Sequence, residues 1–205
     1  MADTHHHITL GRMNPVTKGH EAVVNQVVNS AKKDNGGHTI FLTRSHDPKK
    51  NPLTPEQKLK HARRAFPKAN VQMSSKEAPT MLHHASNLHK QGVTHLTVHV
   101  GSDRVDEFHK LLHTYNGKEG RHGHYNFKKI NIKPVGGERK EDGGEGVESA
   151  SGSGMRKHAT SGNKEAFHKM APTAMSAKHK EEMYHDIRKG MSVKEGYIFR
   201  FKEYF

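Results

Sequence analysis

Short apolar runs and helix-periodic segments alternate over residues 7–135, and this alternation limits the fold more tightly than any single motif. Strand signals lie at 7–10 (HITL), 38–43 (HTIFLT), 70–74 (NVQMS), 93–100 (VTHLTVHV) and 127–135 (FKKINIKPV). Between them apolar residues recur at helical spacing: Ala22, Val23, Val27, Val28 and Ala31; Leu59, Ala62 and Phe66; Met81, Leu82, Ala85 and Leu88; Val105, Phe108, Leu111, Leu112 and Tyr115. Gly36-Gly37 stops the first helix, and Thr54, Pro55 and Gln57 form a capping-box start for the second. Strands separated by helices imply right-handed crossovers and a parallel sheet covered on both faces. The fold class is α/β, a doubly wound parallel sheet. Residues 1–172 make this domain, and 173–205 add a C-terminal helical tail marked by Met175, His179, Met183 and Ile187, then the apolar run YIFRFKEYF.

Composition narrows the function classes. Hydrophobic residues are 31% of the chain, so the core is modest and the surface well solvated. No run of about 18 apolar residues is present, which predicts no membrane span. The start MADTHHHITLGR lacks an apolar signal core, so a cytoplasmic location is expected. With no Cys there are no disulfides and no thiolate metal sites. A formal charge of +13 with 20 histidines favours polyanionic partners: nucleic acid, nucleotides or an acidic protein surface. Aromatic content of 6% supplies a stacking platform for single strands poorly. The groups His5-His6-His7, His83-His84, His95 with His99, and His122 with His124 lack an H-E-x-x-H spacing, so they read as scattered surface histidines with no metal site.

In doubly wound sheets ligands bind beyond the C-terminal strand ends, where helix N-termini present N–H groups. Three loops meet there: GRMNPVTKGH (11–20), SHDPKKNPLT (45–54) and GSDR (101–104). Neither G-x-G-x-x-G nor G-x-x-x-x-G-K-[ST] follows the first strand. Thr17 and His20 read either as a helix cap with a surface imidazole or as a phosphate-handling pair. Lys49 and Lys50 either contact phosphate or stand in a solvated loop. Asp103 either binds ribose or base or caps the following helix. The Gly-rich stretch 136–154 is either a lid or a connector.

The segment G-R-x-x-P-x-T-x-G-H resembles the signature loop of the HIGH-type nucleotidyltransferases, with Thr17 at the first position of the motif. Ala150-Ser151-Gly152-Ser153-Gly154-Met155-Arg156 is similar to the family's second signature, a Ser-rich turn opening a helix. Gly154 stands where a helix former is common, which predicts a loose helix start. Asn51-Pro52-Leu53-Thr54 is similar to an N-P-F-T stretch of nicotinamide-nucleotide adenylyltransferases, and Gly101-Ser102-Asp103-Arg104 occupies the place of the nucleoside-binding strand end. The resemblance covers about residues 7–172, and the layout is most similar to nucleotidyltransferases of large tailed phages.

The resemblance implies a Rossmann-like fold and transfer of a nucleoside monophosphate, AMP before CMP, from ATP or CTP to a phosphorylated acceptor. His20, Thr17 and Arg156 carry the catalytic roles. Gly11, Arg12, Asn14, Gly19, Gly101, Ser102, Asp103, Ser151 and Ser153 bind nucleotide, and Mg²⁺ is held mostly by the phosphates. The attacking acceptor is already ionised, so alignment and charge stabilisation suffice. The competing class is a structural or interaction protein of a phage particle that keeps the fold. It draws on the charge, the histidines and the aromatic tail, and its partners would be acidic particle proteins, nucleic acid or further copies of the chain.

Overall fold

The computed structural model describes residues 2–136 and 150–193. Seven strands are present among them: β1 (His5–Gly11), β2 (Gly37–Leu42), β3 (Val71–Met73), β4 (His95–Gly101), β5 (Glu119–Gly120), β6 (Gly123–His124) and β7 (Lys129–Val135). Five make one parallel sheet in the order β3-β2-β1-β4-β7, while β5 and β6 form a separate hairpin that the sequence did not announce. Ile8 of β1 faces Thr39 of β2 on one side and Val98 of β4 on the other. The chain therefore reverses direction of winding between β1 and β4, and the crevice lies where those two strands end.

Helices α1 (Lys18–Lys33) and α2 (Pro55–Ala65) cover one face with a core that includes Val24, Val27, Ile40, Leu42 and Val71. Helices α3 (Met81–Lys90) and α4 (Val105–Tyr115) cover the other, around Ile8, Phe41, Leu96, Val98 and Leu112. Successive residues Ile40, Phe41 and Leu42 thus enter opposite cores, as the period of two in a strand requires. This is the doubly wound α/β arrangement expected from the alternation of signals.

Some expectations are corrected in detail. In α1 the buried stripe is Val24, Val27, Val28 and Ala31, with Ala22 exposed. In α2 the buried stripe is Lys58, His61, Ala62 and Ala65, so two polar residues stand where an apolar face was expected. The histidines are not simply scattered over the surface: His7, His61, His84 and His99 are buried. Neutral imidazoles can be buried when hydrogen-bonded, and His84 Nε2 lies 2.9 Å from Ser74 Oγ while His61 Nε2 lies 2.7 Å from Asp186 Oδ2.

Three further helices follow: α5 (Gly152–Thr160), α6 (Lys164–Met170) and α7 (Ala177–Gly190). The start of α5 is not loose. Ser151 caps it, and a Cβ on Gly154 would lie 2.9 Å from Met170 Cε, so glycine there permits close packing of α6. Met183, Tyr184 and Ile187 of α7 join the core shared by α1 and α2. Arg188 donates to Ala159 O at 2.7 Å, and Glu182 pairs with both Lys60 and Arg64 of α2. Most of the Gly-rich stretch (137–149) and the apolar run at 197–205 lie outside the described residues. Among those described, no helix is long and apolar enough to cross a membrane.

At the end of α7, a Cβ on Gly190 would collide with the main-chain oxygen of Pro52. That contact seats the C-terminal helix directly on the Asn51–Thr54 loop. Gly190→Ala should therefore destabilise the protein by about 1–3 kcal/mol, the usual cost of overpacking. A melting temperature lower by roughly 2–10 °C is the expected readout. An unchanged melting temperature would mean that α7 does not rest on this loop.

Candidate functional site

The site is assembled from β1 outward. Met13 adopts a positive φ of 42° and buries its side chain, a conformation that L residues other than glycine seldom take. The turn leaves Arg12 exposed beside it. Asn14 is 3% exposed and is used structurally: its Nδ2 donates to Leu53 O and its Oδ1 accepts from Leu53 N, both at 3.0 Å. This paired amide clamps the first loop to the Asn51–Thr54 loop. Arg156 then donates to Asn14 O at 2.7 Å, which fastens the start of α5 to the same point. A Cβ on Gly152 would lie 3.6 Å from Asn14 O, so the approach is close. The two signature segments, far apart in sequence, are one structure.

Thr17 is the N-cap of α1 and His20 its third residue. Thr17 Oγ1 accepts from His20 N at 3.3 Å, and Thr17 N donates to His20 Nδ1 at 3.1 Å. A main-chain N–H can only donate, so Nδ1 is the acceptor and the neutral ring carries its proton on Nε2. The cap and the functional reading are thus the same geometry: the cap fixes the tautomer. Gly19 lies in the first turn of this helix.

Opposite, Ser151 Oγ accepts from Gly154 N at 3.0 Å and lies 3.1 Å from Ser153 Oγ. Both serines are exposed at the N-terminus of α5, whose free N–H groups favour an anion. Lys49 and Lys50 are exposed, and their main-chain N–H groups bind Asp47 Oδ1 at 3.0 and 2.7 Å. Those contacts and Asn51 hold the Asp47 carboxyl down to about 2. Gly101, Ser102 and Asp103 sit at the end of β4 and in the 3-10 turn Ser102–Arg104 that follows it. Asp103 makes no helix-cap bond; its carboxylate folds back so that a Cβ on Gly101 would lie 2.5 Å from Oδ1.

Sequence reasoning missed one residue. Lys58 is 0% exposed, and its Nζ donates to Thr43 O at 2.5 Å and Ser45 O at 3.2 Å, just past β2. Thr43 N in turn donates to Gly11 O at 3.0 Å, so Lys58 lies beneath the first loop. Burial first, then Arg12 and Arg44, hold its ammonium down to about 8. Burial and then Arg12 also push Arg156 down, with Asp47 opposing. Arg12 therefore acts on cations from both sides, and the crevice holds Arg12, Arg44, Lys58 and Arg156 with few acids. The available signal was the helical position of Lys58, one turn before His61 and Ala62 on the buried stripe.

Comparison with known proteins adds three findings. A family model described as cytidylyltransferase-like matches residues 8–135. No curated protein matches the chain. Among solved structures, Thermotoga maritima TmcAL bound with alpha-thio ATP superposes with a TM-score of 0.53 at 10% identity, over 92% of this chain. This chain spans 57% of that one. Plasmodium falciparum nicotinic acid mononucleotide adenylyltransferase complexed with NaAD gives 0.51 at 17% identity, over 89% of this chain and 98% of that one. At such identities the likeness is one of fold.

Proposed function

The chain belongs to the cytidylyltransferase-like family, and on that premise we propose that it transfers a nucleoside monophosphate from a nucleoside triphosphate to a phosphorylated acceptor. The observation that carries this is the junction of Arg156, Asn14 and Leu53, which brings the His20 helix start and the Ser151 helix start to one cationic crevice. An acceptor phosphate oxygen attacks the α-phosphorus. The bond to the bridging β-oxygen breaks, and its electron pair leaves on pyrophosphate. His20 Nε2–H and the α1 N-terminus donate to the α-phosphate oxygens as their charge grows. Thr17 positions the imidazole. Ser151, Ser153 and Arg156 hold the β- and γ-phosphates, and Arg12, whose charge reaches both Lys58 and Arg156, adds to their field. Gly101, Ser102 and Asp103 take the nucleoside.

Adenine is preferred to cytosine in this reading, which rests on the Asn51–Thr54 resemblance and on relatives whose names carry ATP or an adenylyl group. Magnesium arrives with the triphosphate. The nearby Asp47 is already engaged by three N–H groups, and no cluster of three or more His, Cys, Asp or Glu among the described residues suits a metal. In this reading the metal is held by the phosphates, where it would neutralise phosphate charge. Incubation with labelled ATP or CTP, Mg²⁺ and a panel of phosphorylated acceptors should release pyrophosphate with at least one acceptor. No release with any of them would return the molecule to a binding or particle-building role.

Arg156→Ala should raise the KM for triphosphate by about 10–100-fold, the worth of one or two charge-assisted hydrogen bonds. Steady-state kinetics with the triphosphate varied would check this. A KM equal to that of the unmodified protein would separate the α5 start from the crevice.

A further inference from the structure

The least explained group in the molecule is the buried Lys58. Buried lysines normally sit against a carboxylate, yet both contacts of this ammonium are main-chain carbonyls, Thr43 O and Ser45 O. An ammonium has three N–H donors, and the third has no protein partner among the described residues. The charged neighbours that act on it are Arg12 from the loop after β1 and Arg44 from the loop after β2. One turn on, His61 faces Asp186 of α7, so that carboxylate is already engaged. Asp47 serves its own turn and favours the charge on Arg156. Arg12 and Arg44 are exposed, and Glu56 and Glu77 face Arg44, but no carboxylate acts on the buried Lys58, whose charged neighbours are both cations. A buried ammonium so placed is relieved by shedding its proton or by the arrival of an anion.

We propose that Lys58 is a positioning residue for the triphosphate, and that binding of the polyphosphate drives it to take up a proton and become fully charged. This inference rests on the nucleotidyl-transfer reading. Lysine suits the role where arginine does not, because only lysine can be neutral in the empty site and cationic in the filled one. The charged ammonium then holds the loop after β2 by two carbonyls while adding its field to those of Arg12 and Arg44. The proton comes from solvent and returns to solvent when pyrophosphate leaves.

Calorimetric titration of the full chain with inorganic tripolyphosphate and with ATP, in two buffers of different ionisation enthalpy, reads the proton count directly. A group titrating near 8 in the empty site should take up about half a proton at pH 8 and nearly one at pH 9. Ordinary imidazoles and phosphate oxygens titrate below this range and contribute little. Lys58→Met should lose the uptake and bind tripolyphosphate roughly 10-fold or more weakly. Lys58→Arg should keep the affinity within a few-fold and show no uptake. Binding by the unmodified protein without proton uptake overturns this inference alone, whatever the variants do. Absence of any polyphosphate binding overturns it together with the nucleotidyl-transfer reading.

Discussion

His20→Gln should lower kcat/KM for nucleotidyl transfer by about 10²–10³, the usual loss for one transition-state donor, with the melting temperature almost unchanged. The second half of that expectation comes from α2. There Thr54 is the N-cap and Gln57 the third residue, and Gln57 Oε1 accepts from Thr54 N at 3.0 Å. This is the job His20 Nδ1 does for Thr17 N. Glutamine at position 20 therefore satisfies the cap through Oε1 and replaces the imidazole Nε2–H with an amide N–H₂ of shorter reach. His20→Ala would mix a lost cap, worth about 0.5–2 kcal/mol, with a lost donor. Parallel thermal melts and pyrophosphate assays separate the two. Wild-type turnover in the glutamine variant would make His20 a cap and nothing more.

That rival deserves a fair hearing, because the chain itself contains it. Thr80 caps α3, and its Oγ1 lies 2.7 Å from Nδ1 of His83. T-x-x-H thus opens two helices of this chain, and it also occurs as Thr4–His7 at the start of β1 and as Thr43–His46 in the loop after β2, so the pattern alone does not announce chemistry. Place distinguishes the two helix starts. His20 opens α1 at the end of β1, where Asn14, Leu53 and Arg156 are fastened together. The motif pair and its order were legible in the sequence. The clamp was not, since the Asn14 amide looks like a ligand-binding group until Leu53 is seen to occupy both its ends. Lys58 was hidden for a related reason: on a helix rich in Lys and Arg, only packing shows which cation points inward.

The fold was legible because its strands are buried on both faces and bounded by Gly, Pro or cap residues, so the period changes sharply at each junction. The hairpin at Glu119–His124 was not, for its strands are two residues each and carry no apolar period. The buried histidines escaped for want of a pairing signal. His7 and His99 look like isolated polar residues on their strands until β1 and β4 pair. Then His99 Nε2 lies 3.2 Å from His7 Nδ1, and His7 Nε2 lies 3.0 Å from Asp34 Oδ2.

Those histidines, with the half-buried His6, set the largest expected stability change, a loss of stability as pH falls from 6.5 toward 4. Burial holds His6, His84 and His99 down to about 4, with His38, His83 and His7 respectively as the next cause. Burial also lowers His7 and His61, against the opposing pull of Asp34 and Asp186. A histidine with a depressed folded pKa binds its proton more readily in the unfolded chain. Its contribution is therefore complete above the unfolded value near 6.5 and drains away as pH falls toward 4. At pH 5 each of the three contributes a loss of about 2 kcal/mol, so together about 6 kcal/mol is removed from a typical total of about 5–15 kcal/mol. Urea unfolding followed by circular dichroism at pH 8, 7, 6 and 5 should show a falling midpoint at constant slope. Protonation of exposed histidines on a chain already at +13 acts in the same direction through self-repulsion. Salt separates the two causes, because screening weakens repulsion between exposed charges and scarcely touches burial. The greater part of the loss should therefore persist at about 0.5 M salt. A midpoint that is flat from pH 7 to pH 5, or one fully restored by salt, would show that the buried imidazoles are not the cause.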